Sequence, residues 1–267
     1  MPADHVPTAL KTTALALSLL VPLPSTAQEF AVTTPEAFLE LLETLEAATQ
    51  KPRLVVVQGV PTATTMPGGS AFASVSGTTK REGGSGVDGS LAFGIGFGDA
   101  RETVGAQIVA NITSTHPSDF GDSGSLSFKL SRTLPEAFGN STVGLTFDDL
   151  APWGDADGRD VRTSLAWTSA RQIRVAGERI PLLLNLGVVS ETSYHDDWTP
   201  FAAVGLGLSE NLSMTIAHNG DYPVIGATTR VPGLDDVSFS ASLQDVFDER
   251  NERRVTLTAS IAFNDLF

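Results

Sequence analysis

From Ser70 to the C-terminus, apolar and small polar residues alternate with a period of two, and turn-rich stretches interrupt the alternation at intervals. The clearest instance is 90–97, where Leu91, Phe93, Ile95 and Phe97 alternate with Ser90, Ala92, Gly94 and Gly96. The same beat recurs at 104–113, 125–131, 143–147, 184–188, 204–208, 212–216 and 237–243. Weaker members at 70–79, 160–170 and 224–231 and a final strand at 253–263 bring the predicted total to about twelve. An even number suits an antiparallel barrel whose two ends share one side of a membrane.

Alternation also fits a soluble β-sandwich, so the polar face has to decide. A water-facing sheet carries Lys, Glu and Arg, whereas this face is mostly Ser, Thr, Gly, Ala and Asn, with Asp and Glu moved to the turns. Small polar residues suit a crowded or narrow lumen. The expected class is therefore all-β, a twelve-stranded antiparallel transmembrane barrel over 70–267.

Ahead of the barrel the period is helical. Thr33 and Glu36 are spaced as a capping box around Pro35, and Phe38, Leu41, Leu42 and Leu45 share one face, which predicts an amphipathic helix at 34–48. A short strand is expected at 54–57. The first residues read as a cleavable signal peptide, 1–27, with an apolar stretch at 14–23 and the small-residue exit Ser25-Thr26-Ala27. Pro22 and Pro24 break that stretch, which is too short for about 30 Å of hydrocarbon. The expected organisation is signal peptide 1–27, periplasmic segment 28–69 and barrel 70–267, in a bacterial outer membrane.

Charge and composition narrow the partners. A net charge of -14 with only 17 Lys and Arg argues against nucleic acid. The absence of cysteine removes disulfides and thiolate chemistry, and no cofactor is expected. The partners implied are outer-membrane lipid and lipopolysaccharide, a small solute, and the barrel-assembly machinery. For the last, Val255, Leu257, Ala259, Ile261 and Phe263 share one phase with the terminal Phe267. This alternation resembles the C-terminal assembly signal of bacterial barrels, with Asp265 departing from it.

Before the first strand stands Gly59-Val60-Pro61-Thr62-Ala63-Thr64-Thr65-Met66-Pro67-Gly68-Gly69-Ser70, followed by alternating Ala71, Ala73 and Val75. It resembles the motif that leads into the barrel of YjbH-type outer-membrane proteins, as does the cadence of 205–213. The resemblance implies a link to exopolysaccharide production and carries no catalytic residue.

In lumen phase the polar face holds Lys129 among serines, Arg162, Arg230, and the amides of Gln107 and Asn111, a lining that can select or hold anionic solutes. Trp153, Trp167, Tyr194, Trp198 and Tyr222 fall near strand ends, where amphipathic rings settle at the membrane interface. His116, His195 and His218 fall in outer loops beside Asp119, Asp196, Asp197 and Asp221, the groups a rim hydrolase would need at one place. Asp155, Asp157 and Asp160 form a fragment of a calcium loop, read first as a turn. The leading expectation is a porin-like channel for small hydrophilic, anionic or saccharide solutes, and not an enzyme. A non-conducting scaffold in exopolysaccharide assembly comes second and an outer-rim hydrolase third.

Overall fold

The structure, a computed structural model, describes residues 52–79, 87–113, 121–251 and 253–267. The signal peptide, helix 34–48, His116 and Asp119 lie outside the described residues. Twelve strands follow in order: β1 (Ala71–Thr79), β2 (Val87–Gly98), β3 (Gly105–Ile112), β4 (Gly124–Thr133), β5 (Ser141–Trp153), β6 (Arg162–Val175), β7 (Glu178–Val189), β8 (Thr199–Gly207), β9 (Leu212–His218), β10 (Pro223–Val231), β11 (Leu234–Gln244) and β12 (Arg254–Phe263). Each pairs antiparallel with its neighbours, and β1 meets β12 from Ala71↔Phe263 to Thr78↔Thr256, so the sheet closes. Closure leaves no strand edge with unpaired backbone groups, which is what hydrocarbon demands.

The two faces are chemically opposite. Phe93, Leu165, Leu186, Ile216, Phe239 and Leu257 stand exposed on the outside. The lumen side carries Ser125 and Ser127 on β4, Ser164 and Thr168 on β6, and Ser213 and Thr215 on β9, all buried. An inverted distribution of this kind has no place in water, where a continuous apolar exterior would aggregate. Among the described residues no helix is long and apolar enough to cross a membrane, so any crossing is made by strands.

Two local features depart from the periodicity reading. The strands read at 160–170 and 184–188 extend toward each other: β6 and β7 stay paired as far as Val175↔Glu178, joined by Ala176 and Gly177, both at positive φ. That is the geometry of a tight two-residue hairpin. In β5, the register shifts opposite Gly124, Leu126 and Phe128, and Asp149 and Ala151 adopt φ of 57° and 44°. The bulge breaks strict alternation, so the consecutive Asp148 and Asp149 both reach the lumen.

The largest difference concerns 52–69, which the period-two pattern left ahead of the barrel, with a strand at 54–57. No strand forms there. The segment runs extended inside the lumen as a strap. The Val56 N–H donates to Ser213 Oγ and its carbonyl accepts from Thr215 Oγ1, both at 2.9 Å. Gln58 Nε2 donates to Thr228 Oγ1, Asn185 Nδ2 to the Pro61 carbonyl, and the Ala63 N–H to Thr168 Oγ1. Thr65 then shares a hydrogen bond with Ser131, the Met66 N–H donates to Gln107 Oε1, and the chain leaves the lumen into β1. A lone extended segment has no strand partner for its N–H and C=O groups, and lumen hydroxyls and amides supply the missing partners.

Lumen glycines make room for it. A Cβ on Gly205 would sit 2.4 Å from the Val56 carbonyl oxygen, and one on Gly144 2.5 Å from that of Ala63. At those two positions any side chain would collide with strap backbone.

Candidate functional site

The chain is a closed β-barrel, apolar outside and polar inside, with strands of seven to fourteen residues, the form in which β-structure crosses a membrane. The strap enters beside the β8–β9 turn, where the Leu54 N–H donates to the Ser209 carbonyl, and returns to the same rim at β1. We call this the terminal rim and the opposite end the loop rim.

On the loop side lies a cavity of about 600 Å³. Gly59, Val60 and Pro61, the tip of the strap, form part of its wall, together with residues from β3 to β6 and the loops 190–193 and 219–222. Register orders its wall in layers. Gln107, Lys129 and Thr146 are adjacent on β3, β4 and β5; one layer nearer the loop rim come Val109 and Ser127, and above those Asn111 and Ser125. Arg162 faces both bulge carboxylates, 4.0 Å from Asp148 and 3.8 Å from Asp149, and Arg159 lies 3.7 Å from Asp149. Ser125 Oγ also donates to Asp149. Asp221, buried, ties two loops by accepting from Thr192 Oγ1 and the Ser193 N–H.

A second cavity of about 620 Å³ opens on the terminal side, lined by 64–68, 98–101, Ser131, Thr133 and Thr142. Thr65 and Met66, bonded to Ser131 and Gln107, sit at the level that separates the two.

Of the lumen residues read from sequence, Lys129, Arg162, Gln107 and Asn111 all line the loop-side cavity. Arg230 does not: it lies near the terminal end of β10, opposite Ser238 and beside a register shift. Sequence reading missed Asp148 and Asp149 as a pair, because alternation assigns only one of two consecutive residues to the lumen. It also missed the strap, which carries no periodic signal.

The aromatic residues divide. Trp153 Nε1 donates to the Gly121 carbonyl at the loop rim, and Trp167 is on the outer face between Val143 and Leu186. Trp198 is exposed, and Tyr194 lies under the Arg250 guanidinium at 5.0 Å, joining two loops. Tyr222, expected in the interface girdle, is instead buried beside Val224, Ala203 and Ala217 and lines the cavity. Its hydroxyl donates to Gln244 Oε1, a partner available only inside the wall.

The groups of the rim hydrolase are not gathered among the described residues. His218 continues the outward phase of Met214 and Ile216 and is exposed, while Asp221 lines the cavity. His195 does not line it. Nor do any three or more described His, Asp or Glu side chains come together as a metal site; Gly154–Ala156 forms a 3-10 turn, and Asp155, Asp157 and Asp160 are exposed.

At the C-terminus β12 ends with Phe263, on the outer face. Asp265 at φ 56° turns the chain, the Leu266 N–H donates to the Gly69 carbonyl, and the Phe267 ring comes to 6.2 Å from Phe97. The terminal phenylalanine thus reaches the outer face through a turn and not by continuing the strand.

No protein-family model and no curated protein matches the sequence. Among solved structures the barrel is similar to the outer-membrane protein Omp33 of Acinetobacter baumannii, at 12% identity and a TM-score of 0.44, covering 73% of this chain and 98% of that one. It is also similar to the COG4313 outer-membrane channel of Pseudomonas putida F1, at 13% identity and a TM-score of 0.46, covering 77% of this chain and 100% of that one.

Proposed function

We propose that the protein is a narrow channel for small hydrophilic solutes, with the loop rim outside the cell and the strap confining passage to one side of the lumen. The observation that carries this reading is an asymmetry of exposure. Lumen hydroxyls beneath the strap are buried, Ser213 and Thr215 at 1%. On β11, β12 and β1, by contrast, Ser240, Ser242, Thr258, Ser260, Ser74 and Ser76 stay partly exposed, and among the described residues no strap hydrogen bond reaches β11 or β12. This lane of hydroxyls is neutral and can trade hydrogen bonds with water or a polyol. At its terminal end Phe72 projects into the lumen across Gly94, where a Cβ would collide with the ring.

Planar-bilayer recording of the refolded mature chain, 28–267, tests the route. Tryptophan at Thr258 or Ser240 is expected to reduce single-channel conductance by roughly half, since a bulky side chain in a narrow pore obstructs it directly. Tryptophan on the outer face at Leu257 should leave the current unchanged. Equal effects from both faces would sink the lane. Complete absence of current from a folded barrel would favour the scaffold reading, supported by the resemblance of 59–70 to YjbH-type proteins, since that motif is the part of the strap that fills the lumen.

The C-terminal phenylalanine is proposed to be read by the assembly machinery, because it lies exposed at the terminal rim. Removal of Phe267 is expected to lower the amount of barrel inserted in cells several-fold while leaving refolding from urea into detergent intact. Equal loss in both assays would make its role one of stability.

A further inference from the structure

The loop-side cavity has a charge arrangement that simple passage does not require. Its lining cations among the described residues are Lys129, Arg159 and Arg162. The two arginines lie within 4.0 Å of Asp148 or Asp149. Among the described residues Lys129 has no hydrogen bond and no carboxylate that close, and Asp148 is the charge that acts on it from further off. Beside it in register, Gln107 uses Oε1 to accept from Met66, leaving its Nε2 donors without a partner among the described residues. Thr146 flanks Lys129 on the other side. The deep end of the cavity therefore collects an ammonium, an amide and a hydroxyl, all able to donate, with no carboxylate of the described residues in contact. Such a set fits one carboxylate.

Toward the loop rim the chemistry reverses. Asp148, Asp149, Glu191 and Asp221 line that end against Arg159 and Arg162, so carboxylates outnumber guanidiniums there, with Asn111 and Asn219 among them and Tyr222 as an aromatic wall. Carboxylates and amides accept from hydroxyls, whereas a second anionic group or a dianionic phosphate would meet them as like charges. A volume of about 600 Å³ lies within the usual range of roughly 300–1,000 Å³ for small-molecule sites.

We propose that this cavity is a binding site for a small polyhydroxylated monocarboxylate, of the size and chemistry of a uronic acid. Its carboxylate sits on Lys129 and Gln107, and its hydroxyls point toward the bulge carboxylates. The proposal deepens the channel reading and rests on it for the solute's route, but not for binding itself.

Isothermal titration of the refolded mature chain in detergent, with galacturonate, galactose and galactose 1-phosphate as probes, tests the site. Galacturonate is expected to bind more tightly than either comparator. Lys129→Met should weaken it about tenfold or more, the loss of a charge-assisted contact, and leave galactose unaffected, while Lys129→Arg should retain binding. Galacturonate no tighter than galactose on the unaltered protein would overturn the proposal without any variant, as would tighter galactose 1-phosphate or unchanged affinity in a folded Lys129→Met barrel. Bilayer recordings on the same samples separate the two readings. Current without galacturonate binding removes the site and keeps the channel; binding without current keeps the site and removes the channel.

Discussion

Replacing Gly144 by leucine is expected to raise single-channel conductance severalfold, and replacing Gly205 in the same molecule to raise it further. Both glycines lie on the lumen wall against strap backbone. A Cβ at Gly144 would fall 2.5 Å from the Ala63 carbonyl oxygen and 2.6 Å from the Ala63 Cα, and one at Gly205 2.4 Å from the Val56 carbonyl oxygen. Backbone cannot rotate away as a side-chain tip does, so the strap has to leave the wall. Overpacking of this kind costs roughly 1–3 kcal/mol where the neighbours are fixed. Here the neighbour is a segment held by scattered hydrogen bonds to side chains and not by a ladder. Displacement of the strap is therefore the cheaper response than distortion of the barrel. Two measurements check this: single-channel conductance, and labelling of a cysteine placed at Val60 by a membrane-impermeant maleimide. Unchanged conductance with an unreactive Val60→Cys would show that the strap stays seated and that the glycines have another role.

The second large effect is expected at Asn185, which is fully buried. Its Oδ1 accepts from Thr168 Oγ1 at 2.7 Å and its Nδ2 donates to the Pro61 carbonyl at 2.8 Å. Thr168 in turn accepts the Ala63 N–H at 2.9 Å, so one amide and one hydroxyl fasten the strap at its tip and just beyond it. Leucine at Asn185 keeps the branched shape of the side chain and removes both bonds, leaving the Pro61 carbonyl and the Thr168 hydroxyl to find other partners. Each buried group left unsatisfied costs about 1–3 kcal/mol. Asn185→Leu is expected to lower the temperature at which heat-modifiable migration is lost and to raise protease cleavage within 52–69. Asn185→Asp, which keeps the acceptor and loses the donor, should fall between. A barrel whose strap is as protected in Asn185→Leu as in the parent would show that this network does not anchor it.

Much of the architecture is legible in the sequence for a simple reason. In a barrel wall each residue faces either lipid or lumen, so a period of two records the environment directly, and twelve such segments emerge from hydropathy alone. The same rule placed Lys129, Gln107, Asn111 and Arg162 on the lumen side. It fails where the chain leaves regular pairing. At the β5 bulge Asp148 and Asp149 both turn inward, at Tyr222 the chain is a loop residue tucked inside, and at Asp265 the strand phase is lost before Phe267.

The strap marks the boundary most clearly. Gly, Ser and Thr in lumen phase already suggest a crowded interior, but nothing local in 52–69 says what crowds it. Its partners, Ser213, Thr228, Asn185, Thr168 and Ser131, lie from 66 to 170 residues away in the chain. They become neighbours only once the sheet has closed. By itself the sequence determined the strand period, the two-faced wall and the small lumen side chains, because each follows from the solvent a residue meets. Closure decided which glycines face the strap, which lining cation has no carboxylate of the described residues in contact, and which lumen hydroxyls stay partly exposed, because these depend on pairing between segments far apart in the chain.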